Sequence, residues 1–422
     1  MALINIRKIK KNPFFYKGYN IPSQYFCDRE KETRSLINLV KNDNNIIIKS
    51  PRRLGKTSLM WHIFSEPDIK NTYNTIYVDI YPTKSVQNFI DTFYKAIQDC
   101  PTIRNKKELD NLRRVLDERS VFAGIGKEKM VELRAEAKYG YIQMEKSLDA
   151  VFDFLSKTNR PNLIVIDEFQ QIREYDNVNM EASLRSFIQR NNNSNFIFSG
   201  SSRHLLTQIF DSPDKPFYRS CRFFNLDIIP YDAYADFCML QFNKNDKNIE
   251  EDAIKLVYNT FSGITFYMQM AMNNLYGIMQ KGETASETDM RYSINNIIDE
   301  KDQDYTEFIH GIKESHERVI YCIANEGPCE EILSKEKQLK YGLPAVSTTK
   351  NIIESYQKDN KRIIETIKPG VYRLEDRLLE LWIAKNIYGN LDVKFDTAQA
   401  TFEKEIELRR QPEKKNILVQ KP

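Results

Sequence analysis

A short run near the start of the chain constrains its fold more than any other feature. Three isoleucines at residues 46–48 lead into the sequence Ser-Pro-Arg-Arg-Leu-Gly-Lys-Thr, which runs from Ser50 to Thr57. This segment matches the phosphate-binding pattern G-x-x-x-x-G-K-[ST], with Ser50 in place of the first glycine. A chance Gly-Lys-Thr in a lysine-rich chain is the alternative. The apolar strand before the loop and the amphipathic stretch after it favour a P-loop, and so a nucleotide-binding α/β fold.

Each residue type in this loop has a chemical reason. Gly55 lets the backbone approach the phosphates, and the N–H groups that open the next helix receive them. Lys56 neutralises charge on the β- and γ-phosphates, and the Thr57 hydroxyl is suited to hold Mg²⁺. We therefore expect ATP and Mg²⁺ as cofactors. The loop residues expected to bind the nucleotide are Ser50, Pro51, Arg52, Arg53, Leu54, Gly55, Lys56, Thr57 and Ser58.

A second apolar run ends in two adjacent carboxylates. Residues 162–166 are followed by Asp167 and Glu168, a pattern typical of a central parallel strand. We expect Asp167, together with Thr57, to hold the metal ion. Glu168 is the expected general base, because a carboxylate near the γ-phosphate can take a proton from the attacking water. The added carboxylate indicates an ATP-hydrolysing enzyme rather than a kinase.

The composition limits the broad class of protein. The chain has 422 residues, of which 41% are apolar and 29% charged, enough for roughly two or three domains with substantial cores. The net charge of +3 does not by itself predict nucleic-acid binding. The basic N-terminus lacks the apolar core of a signal peptide. Segment 256–280 contains no charged residue, yet its many polar side chains would be costly in hydrocarbon, so we expect no membrane partner.

The cysteines and histidines point to no metal framework. The six cysteines form no C-x-x-C pair and only four histidines accompany them, so reduced thiols in a cytoplasmic protein are expected. The spacing of Cys322 and Cys329 is interpreted as coincidence.

Apolar strands alternate with helical patterns after the P-loop. This alternation predicts the α/β class, with a parallel P-loop NTPase sheet and helices on both faces. Beyond the strand before the P-loop, the expected strands are 75–80, 162–166, 195–199 and 223–228.

The second half of the chain is mostly helical and ends in a different module. Helical patterns at 313–325, 329–339 and 347–357 are followed by a hairpin at 363–374. This order is typical of a winged helix-turn-helix, with 347–357 as its recognition helix. The expected domains are an α/β core at 1–230 with a solvated helical insertion at 104–146 broken at 124–126, a helical lid at 231–304, and a winged helix at 305–390. A charged tail at 391–422 is expected to be a helix that runs into a loose end.

These motifs resemble the archaeal-type ATPase family, a branch of the AAA+/STAND P-loop ATPases with a C-terminal winged helix. The resemblance spans about residues 15–390 and is carried by the segments 26–32, 50–59, 167–168, 200–202, 218–219, 263–265 and 372–376. The sequence departs from the family pattern at Ser50 and Asp28, where glycine is usual, and at Thr265, where proline is usual.

The resemblance implies further roles. Phe26 and Arg29 would lie beside the adenine, and Ser201 would sense the γ-phosphate. Arg219 would contact phosphate, in its own subunit or in a neighbour's. The catalytic set implied in this way is Glu168, Lys56, Ser201 and Arg219. Other arginines compete for the role of Arg219, namely Arg52, Arg53, Arg203 and Arg222.

The sequence thus favours an ATP-binding, ATP-hydrolysing molecular switch with a regulatory role. The alternative is a nucleotide-dependent DNA-binding or scaffold module that binds ATP without significant turnover. A GTPase is a weaker alternative, because the N-K-x-D match at 243–246 follows a helical stretch rather than a strand. The winged helix carries Lys350, Lys358, Lys361 and Arg362, which suit phosphate contacts with double-stranded DNA. Glu354 and Asp359 dilute the positive charge of that face. A protein partner or self-association remains the other hypothesis for this module.

Overall fold

The computed structural model describes residues 11–18, 20–120, 132–175, 179–201, 203–358 and 362–410. The chain divides into two compact units. We call residues 18–24 and 29–227 the α/β unit, and residues 1–17, 25–28 and 228–422 the helical unit.

The α/β unit is built on a parallel sheet of five strands, as the alternating pattern predicts. Its strands are β1 (Ile46–Lys49), β2 (Asn74–Asp79), β3 (Asn162–Asp167), β4 (Ser194–Gly200) and β5 (Arg222–Asn225). They lie in the order β2-β3-β4-β1-β5. Strands β1, β3 and β4 are almost wholly buried, because their apolar side chains are covered on both faces as in other parallel sheets. The predicted fold class is confirmed.

Eight helices accompany this sheet within the described residues. They are α1 (Glu30–Lys41), α2 (Lys56–Ser65), α3 (Pro67–Lys70), α4 (Val86–Gln98), α5 (Lys106–Ser120), α6 (Glu132–Ser156), α7 (Met180–Arg190) and α8 (Arg203–Asp211). The loop from β1 to α2 is the P-loop, and the turn after β3 carries Glu168.

Within the segment 104–146, the described part of helix α5 is less solvated than its charge density suggests. Leu109, Leu112 and Leu116 of α5 are buried in the core of the α/β unit, because their spacing places them on one face of the helix. Helix α5 therefore packs into the core while its charged residues cover the outer face. The break expected at 124–126 lies outside the described residues.

The helical unit contains eleven helices among the residues described. They are α9 (Tyr231–Asn243), α10 (Glu251–Thr260), α11 (Thr265–Ile278), α12 (Glu287–Asp299), α13 (Asp302–His310), α14 (Glu314–Glu326), α15 (Lys335–Tyr341), α16 (Val346–Ser355), α17 (Arg377–Asn386), α18 (Leu391–Asp396) and α19 (Ala398–Arg410). No helix in the described part of the chain combines the length and the apolar character that crossing a membrane requires.

Two small sheets complete the helical unit. One is a parallel pair, β6 (Asn248–Ile249) and β7 (Thr284–Ala285). The other is antiparallel with the order β8-β10-β9, from β8 (Cys329–Glu330), β9 (Ile364–Lys368) and β10 (Val371–Leu374). The succession α14-β8-α15-α16-β9-β10 is a winged helix, as the sequence predicts.

The prediction of one helix over 329–339 is wrong at its start. Cys329 pairs with Tyr372 in the small sheet, so its backbone is extended, and α15 begins only after Ser334. The Ser334 side chain caps that helix by accepting a hydrogen bond from the Lys337 backbone N–H. The sulfurs of Cys322 and Cys329 lie 4.0 Å apart, so the spacing interpreted as coincidence brings two buried thiols together.

The segment 391–410 is helical, and its helix α19 packs through a buried carboxylate. Glu405 of α19 is only 2% exposed and accepts hydrogen bonds from Ser262 at 2.9 Å and Arg377 at 3.1 Å. Arg373 also pairs with Glu405. A buried charge is tolerated only where opposite charges and donors surround it. These partners, which come from the turn after α10, from β10 and from α17, fix α19 in place.

Candidate functional site

The P-loop has the backbone that its sequence requires. Gly55, directly before α2, has a φ of 85°, and Arg53 has a φ of 67°. Left-handed backbone of this kind is easiest for glycine, which explains why Gly55 sits at the turn. Ser50 is fully buried, and its hydroxyl donates to the Pro51 carbonyl at 2.9 Å. The serine at this position is therefore accommodated in the loop with its hydroxyl hydrogen-bonded.

The Lys56 side chain makes a hydrogen bond across the P-loop. Its side chain is largely buried, and the ammonium donates to the carbonyl of Pro51 at 3.1 Å. The charge is therefore held within the loop, at the N-terminus of α2, where the N–H groups also favour an anion.

Asp167 accepts more hydrogen bonds than any other carboxylate of the site. It is 6% exposed, and its Oδ2 accepts hydrogen bonds from Thr57 Oγ1 at 3.1 Å and from the Tyr77 hydroxyl at 2.5 Å. Its Oδ1 accepts from the Ser199 hydroxyl and from the Glu168 backbone N–H at 3.0 Å. The structure thus brings together Thr57 and Asp167, the two residues expected to hold the metal.

Glu168 has an equally defined environment. Its φ of 55° places it in left-handed backbone at the turn after β3. Its Oε2 accepts from Ser201 Oγ at 2.8 Å, from Ser201 N at 3.2 Å and from Gln170 Nε2 at 2.5 Å. Two further residues expected at the site, Glu168 and Ser201, are therefore in direct contact.

The site is rich in negative charge, which affects two neighbouring groups. Burial and then the charge of Asp167 raise the pKa of Tyr77, so this hydroxyl stays a donor. Burial also raises the pKa of Asp79 against the lowering effect of the Tyr81 N–H, and Asp167 and Glu168 raise it further. Asp79 pairs with Asp167 in the register of β2 and β3, so three carboxylates share this edge of the sheet.

Three other predicted residues have contacts or surroundings of their own. Arg29 is buried, pairs with Glu32 at 2.7 Å and donates to the Asp227 carbonyl at 2.6 Å. Phe26 belongs to the helical unit. Arg219 is exposed and lies over the ring of Tyr218 at 4.9 Å.

The remaining P-loop residues differ in burial. Leu54 is buried, Arg53 is exposed, and Pro51, Arg52 and Ser58 are half-buried. No hydrogen bond between described residues joins Arg219 to Lys56 or to either carboxylate of the 167–168 pair.

Sequence reasoning missed several contributors. Tyr77, Ser199 and Gln170 all donate to the two central carboxylates. Ser199 carried a weak signal, as a polar residue near the end of an apolar strand. The positions of Tyr77 and Gln170 in sequence give no such indication.

The donor set suits Mg²⁺ and a polyphosphate. Thr57 and Asp167 offer the hydroxyl and carboxylate oxygens that Mg²⁺ prefers, and such sites use one or two carboxylates with the remaining ligands from phosphate and water. Among the described residues, no group of three His, Cys, Asp or Glu side chains forms a metal cage. A site completed by a nucleotide phosphate fits this arrangement.

The fold and the site together define a P-loop protein with a parallel α/β nucleotide-binding fold and a C-terminal winged helix. Residues 26–271, more than half of the chain, match a family model described as "ATPase domain predominantly from Archaea". The chain belongs to this family. A second family model, described as "Probable winged helix domain", matches residues 303–385.

Solved structures share this fold. The Walker-type ATPase of Pyrococcus abyssi is 15% identical with a TM-score of 0.60, and the match covers 88% of this chain and 99% of that one. The ORC2 protein of Aeropyrum pernix, solved as ADPNP-ADP complexes, is 13% identical with a TM-score of 0.55, covering 94% and 99% respectively. A comparison with curated proteins finds no match.

Proposed function

We propose that this protein binds ATP with Mg²⁺ and hydrolyses it slowly, as a regulatory AAA+/STAND-type switch. The observation that carries the proposal is the contact of Thr57 with Asp167, which is followed directly by Glu168. A P-loop hydroxyl, a metal-binding carboxylate and a second carboxylate are the groups that phosphoryl transfer to water requires.

Each side chain has a role in this mechanism. Lys56 and the first N–H groups of α2 bind the phosphates and stabilise the charge that develops on them. Thr57 and Asp167 would hold Mg²⁺, which would supply further neutralisation of the phosphate charge. Glu168 accepts a proton from the attacking water. Ser201, which contacts Glu168, would report the presence of the γ-phosphate to that carboxylate.

The comparison with the Aeropyrum pernix protein supports nucleotide binding, because that protein was solved with ADPNP and ADP. We infer Mg²⁺ from the oxygen donors of Thr57 and Asp167. Turnover is inferred from Glu168, since a module that only binds ATP does not require a second carboxylate.

The test is Mg²⁺-dependent ATP hydrolysis by wild type, Lys56→Ala and Glu168→Gln. We expect both variants to lose turnover and only Glu168→Gln to keep ATP binding, because Lys56 binds phosphate whereas Glu168 acts on water. Wild type that binds ATP without turnover would instead support the scaffold hypothesis. Competition by GTP as strong as by ATP would favour the GTPase hypothesis.

A second candidate function, DNA binding by the winged helix, is favoured by one observation. The outer face of α16 exposes Ser347, Thr348, Lys350 and Asn351, side chains that donate to phosphates and base edges. We propose double-stranded DNA as its ligand. Lys350→Ala should weaken duplex binding and reduce its salt dependence. If duplex DNA does not bind at low salt, a protein partner or self-association becomes the hypothesis for this face.

A further inference from the structure

We propose that Gln170 is a positioning residue for Glu168 and that Gly200 provides the space in which it sits. This inference rests on the proposed ATP hydrolysis, and it concerns which oxygen of the Glu168 carboxylate is left for the water. Neither residue belongs to the P-loop or to the two central carboxylates. Gly200 lies in the 200–202 segment that carries the family resemblance, but no role was expected of it, and no sequence motif pointed to Gln170.

Three donors converge on one oxygen of Glu168. Gln170 Nε2 lies 2.5 Å from Oε2, and Ser201 supplies its hydroxyl at 2.8 Å and its backbone N–H at 3.2 Å to the same atom. Among the hydrogen bonds of the described residues, Oε1 accepts none. A carboxylate held in this way presents one oxygen, in one orientation, to accept a proton from water, and catalysis depends on such orientation.

The Gln170 side chain occupies space that is available only because residue 200 is glycine. Gln170 is 6% exposed, and a Cβ atom added to Gly200 would lie 2.1 Å from its Oε1. The backbone of Gly200 does not need a left-handed conformation, since it lies outside the positive-φ set. Glycine at this position therefore provides space. An alanine would displace the end of the Gln170 side chain, which is flexible enough to move without disturbing the strand.

The chain retains the Gln170 amide at a cost in stability. Its Oε1 is buried and has no hydrogen-bond partner among the described residues, and an unpaired buried carbonyl oxygen is unfavourable. An apolar side chain of the same size would avoid this penalty. The benefit of the amide is its Nε2 group, which donates a hydrogen bond to Glu168. A buried polar group in which only one of two polar atoms has a hydrogen-bond partner is typical of a functional site.

Gln170→Leu tests this role with little change in volume. We expect kcat for ATP to fall about tenfold, a fraction of what a general base contributes, with KM for ATP unchanged and a melting temperature equal to or above that of wild type. A purely structural role predicts the opposite, a lower melting temperature with normal kcat. The matched control is Gln171→Leu, because the Gln171 amide donates to the Thr83 carbonyl at 3.0 Å and should leave kcat unchanged.

Gly200→Ala should reproduce the loss of kcat by moving Gln170. The double variant should be no slower than either single variant, because both substitutions remove one contact and their effects should not add. Multiplied effects would show that Gly200 acts independently of Gln170. Should Gly200→Ala fail to fold, the kinetics of Gln170→Leu decide the proposal.

The outcomes separate this inference from the proposed function. If wild type turns over ATP and Glu168→Gln does not, but Gln170→Leu has wild-type kcat or higher, the positioning role is overturned and the ATPase remains. If wild type has no turnover, or Glu168→Gln keeps it, the proposed function fails and the positioning role fails with it.

Discussion

Thr57 donates its hydroxyl to Oδ2 of Asp167 across 3.1 Å, which ties the first turn of α2 to the end of β3. The two residues come from separate motifs, and the parallel sheet brings them together because β1 and β3 both end at the same edge. The oxygen pair expected to hold the metal is therefore assembled by the fold itself.

Thr57→Val should remove this oxygen while keeping the shape of the side chain. We expect Mg²⁺-dependent ATP affinity to fall on the order of 10–100-fold, with ATP affinity in EDTA unchanged. Calorimetric titration with and without Mg²⁺ measures the difference. Ser65→Ala, at the far end of α2, is the control. Equal losses in EDTA and in Mg²⁺ would show that Thr57 shapes the loop rather than binding the metal.

Tyr77→Phe should weaken the metal site without removing a metal ligand. The Tyr77 hydroxyl donates to Asp167, and loss of such a supporting donor lowers metal affinity by about tenfold or more. The ring lies 5.6 Å from that of Trp61, so Trp61 fluorescence in a Trp382→Phe background should follow Mg²⁺·ATP binding. An unchanged Mg²⁺ midpoint would contradict a supporting role for this hydroxyl.

The same substitution should change the stability at high pH. Burial and the charge of Asp167 raise the pKa of Tyr77 above its usual value of 10.0. The folded state therefore disfavours ionisation of Tyr77. The free energy of unfolding has its full value below about pH 10 and falls as the pH rises above 10, because Tyr77 then ionises in the unfolded state. Wild type should lose more free energy of unfolding than Tyr77→Phe between pH 9 and pH 11. Parallel curves for the two proteins would contradict this.

Glu405 should be essential for the fold of the helical unit. Burial alone would raise its pKa, but Arg373, Arg377 and Arg409 outweigh burial and hold the pKa below its usual 4.5. Glu405→Gln leaves these arginines without their shared carboxylate, a change that costs about 3–5 kcal/mol in buried ion pairs. Urea unfolding measures the loss, and Glu403→Gln on the exposed face of α19 should cost nearly nothing.

The pH dependence of this contribution follows from the direction of the shift. Because the folded pKa of Glu405 is lowered, its stabilisation is present above the unfolded pKa of about 4.5 and is lost as the pH falls below it. Wild type and Glu405→Gln should therefore converge in stability toward acid pH. A constant difference down to pH 3 would contradict the charge-based explanation.

Arg219 should act on the site of a neighbouring subunit. It is exposed, and no hydrogen bond between described residues joins it to Asp167 or Glu168 of its own chain. Arg219→Ala should lose turnover while keeping ATP binding, and mixing it with the equally inactive Lys56→Ala protein should restore part of the activity. A mixture as inactive as its components, or normal turnover by Arg219→Ala, would contradict this prediction.

Much of the fold and part of the site could be predicted because the signals are local. The P-loop, the acidic pair after β3 and the winged helix each lie in one stretch of sequence whose residue types reflect their chemistry. Glu405 could not be predicted, because a charged helix at the end of a chain gives no sign of the arginines that will surround it.

Sequence reasoning missed Gln170 and Asp79 for a related reason. The role of Gln170 depends on the space beside Gly200, and that of Asp79 on strand register. Neither property is visible in the residue types alone. Contacts made by close approach or by register therefore need the three-dimensional structure.

Single-turnover hydrolysis tests the proposed function most directly. Wild type and Glu168→Gln, each in excess over ATP labelled at its γ-phosphate, would be mixed with Mg²⁺ and followed for release of phosphate. We expect wild type to convert its bound ATP and Glu168→Gln to retain it unhydrolysed with similar affinity. Conversion by Glu168→Gln at the wild-type rate, or no conversion by wild type, would contradict the assignment of Glu168 as the general base of an ATPase.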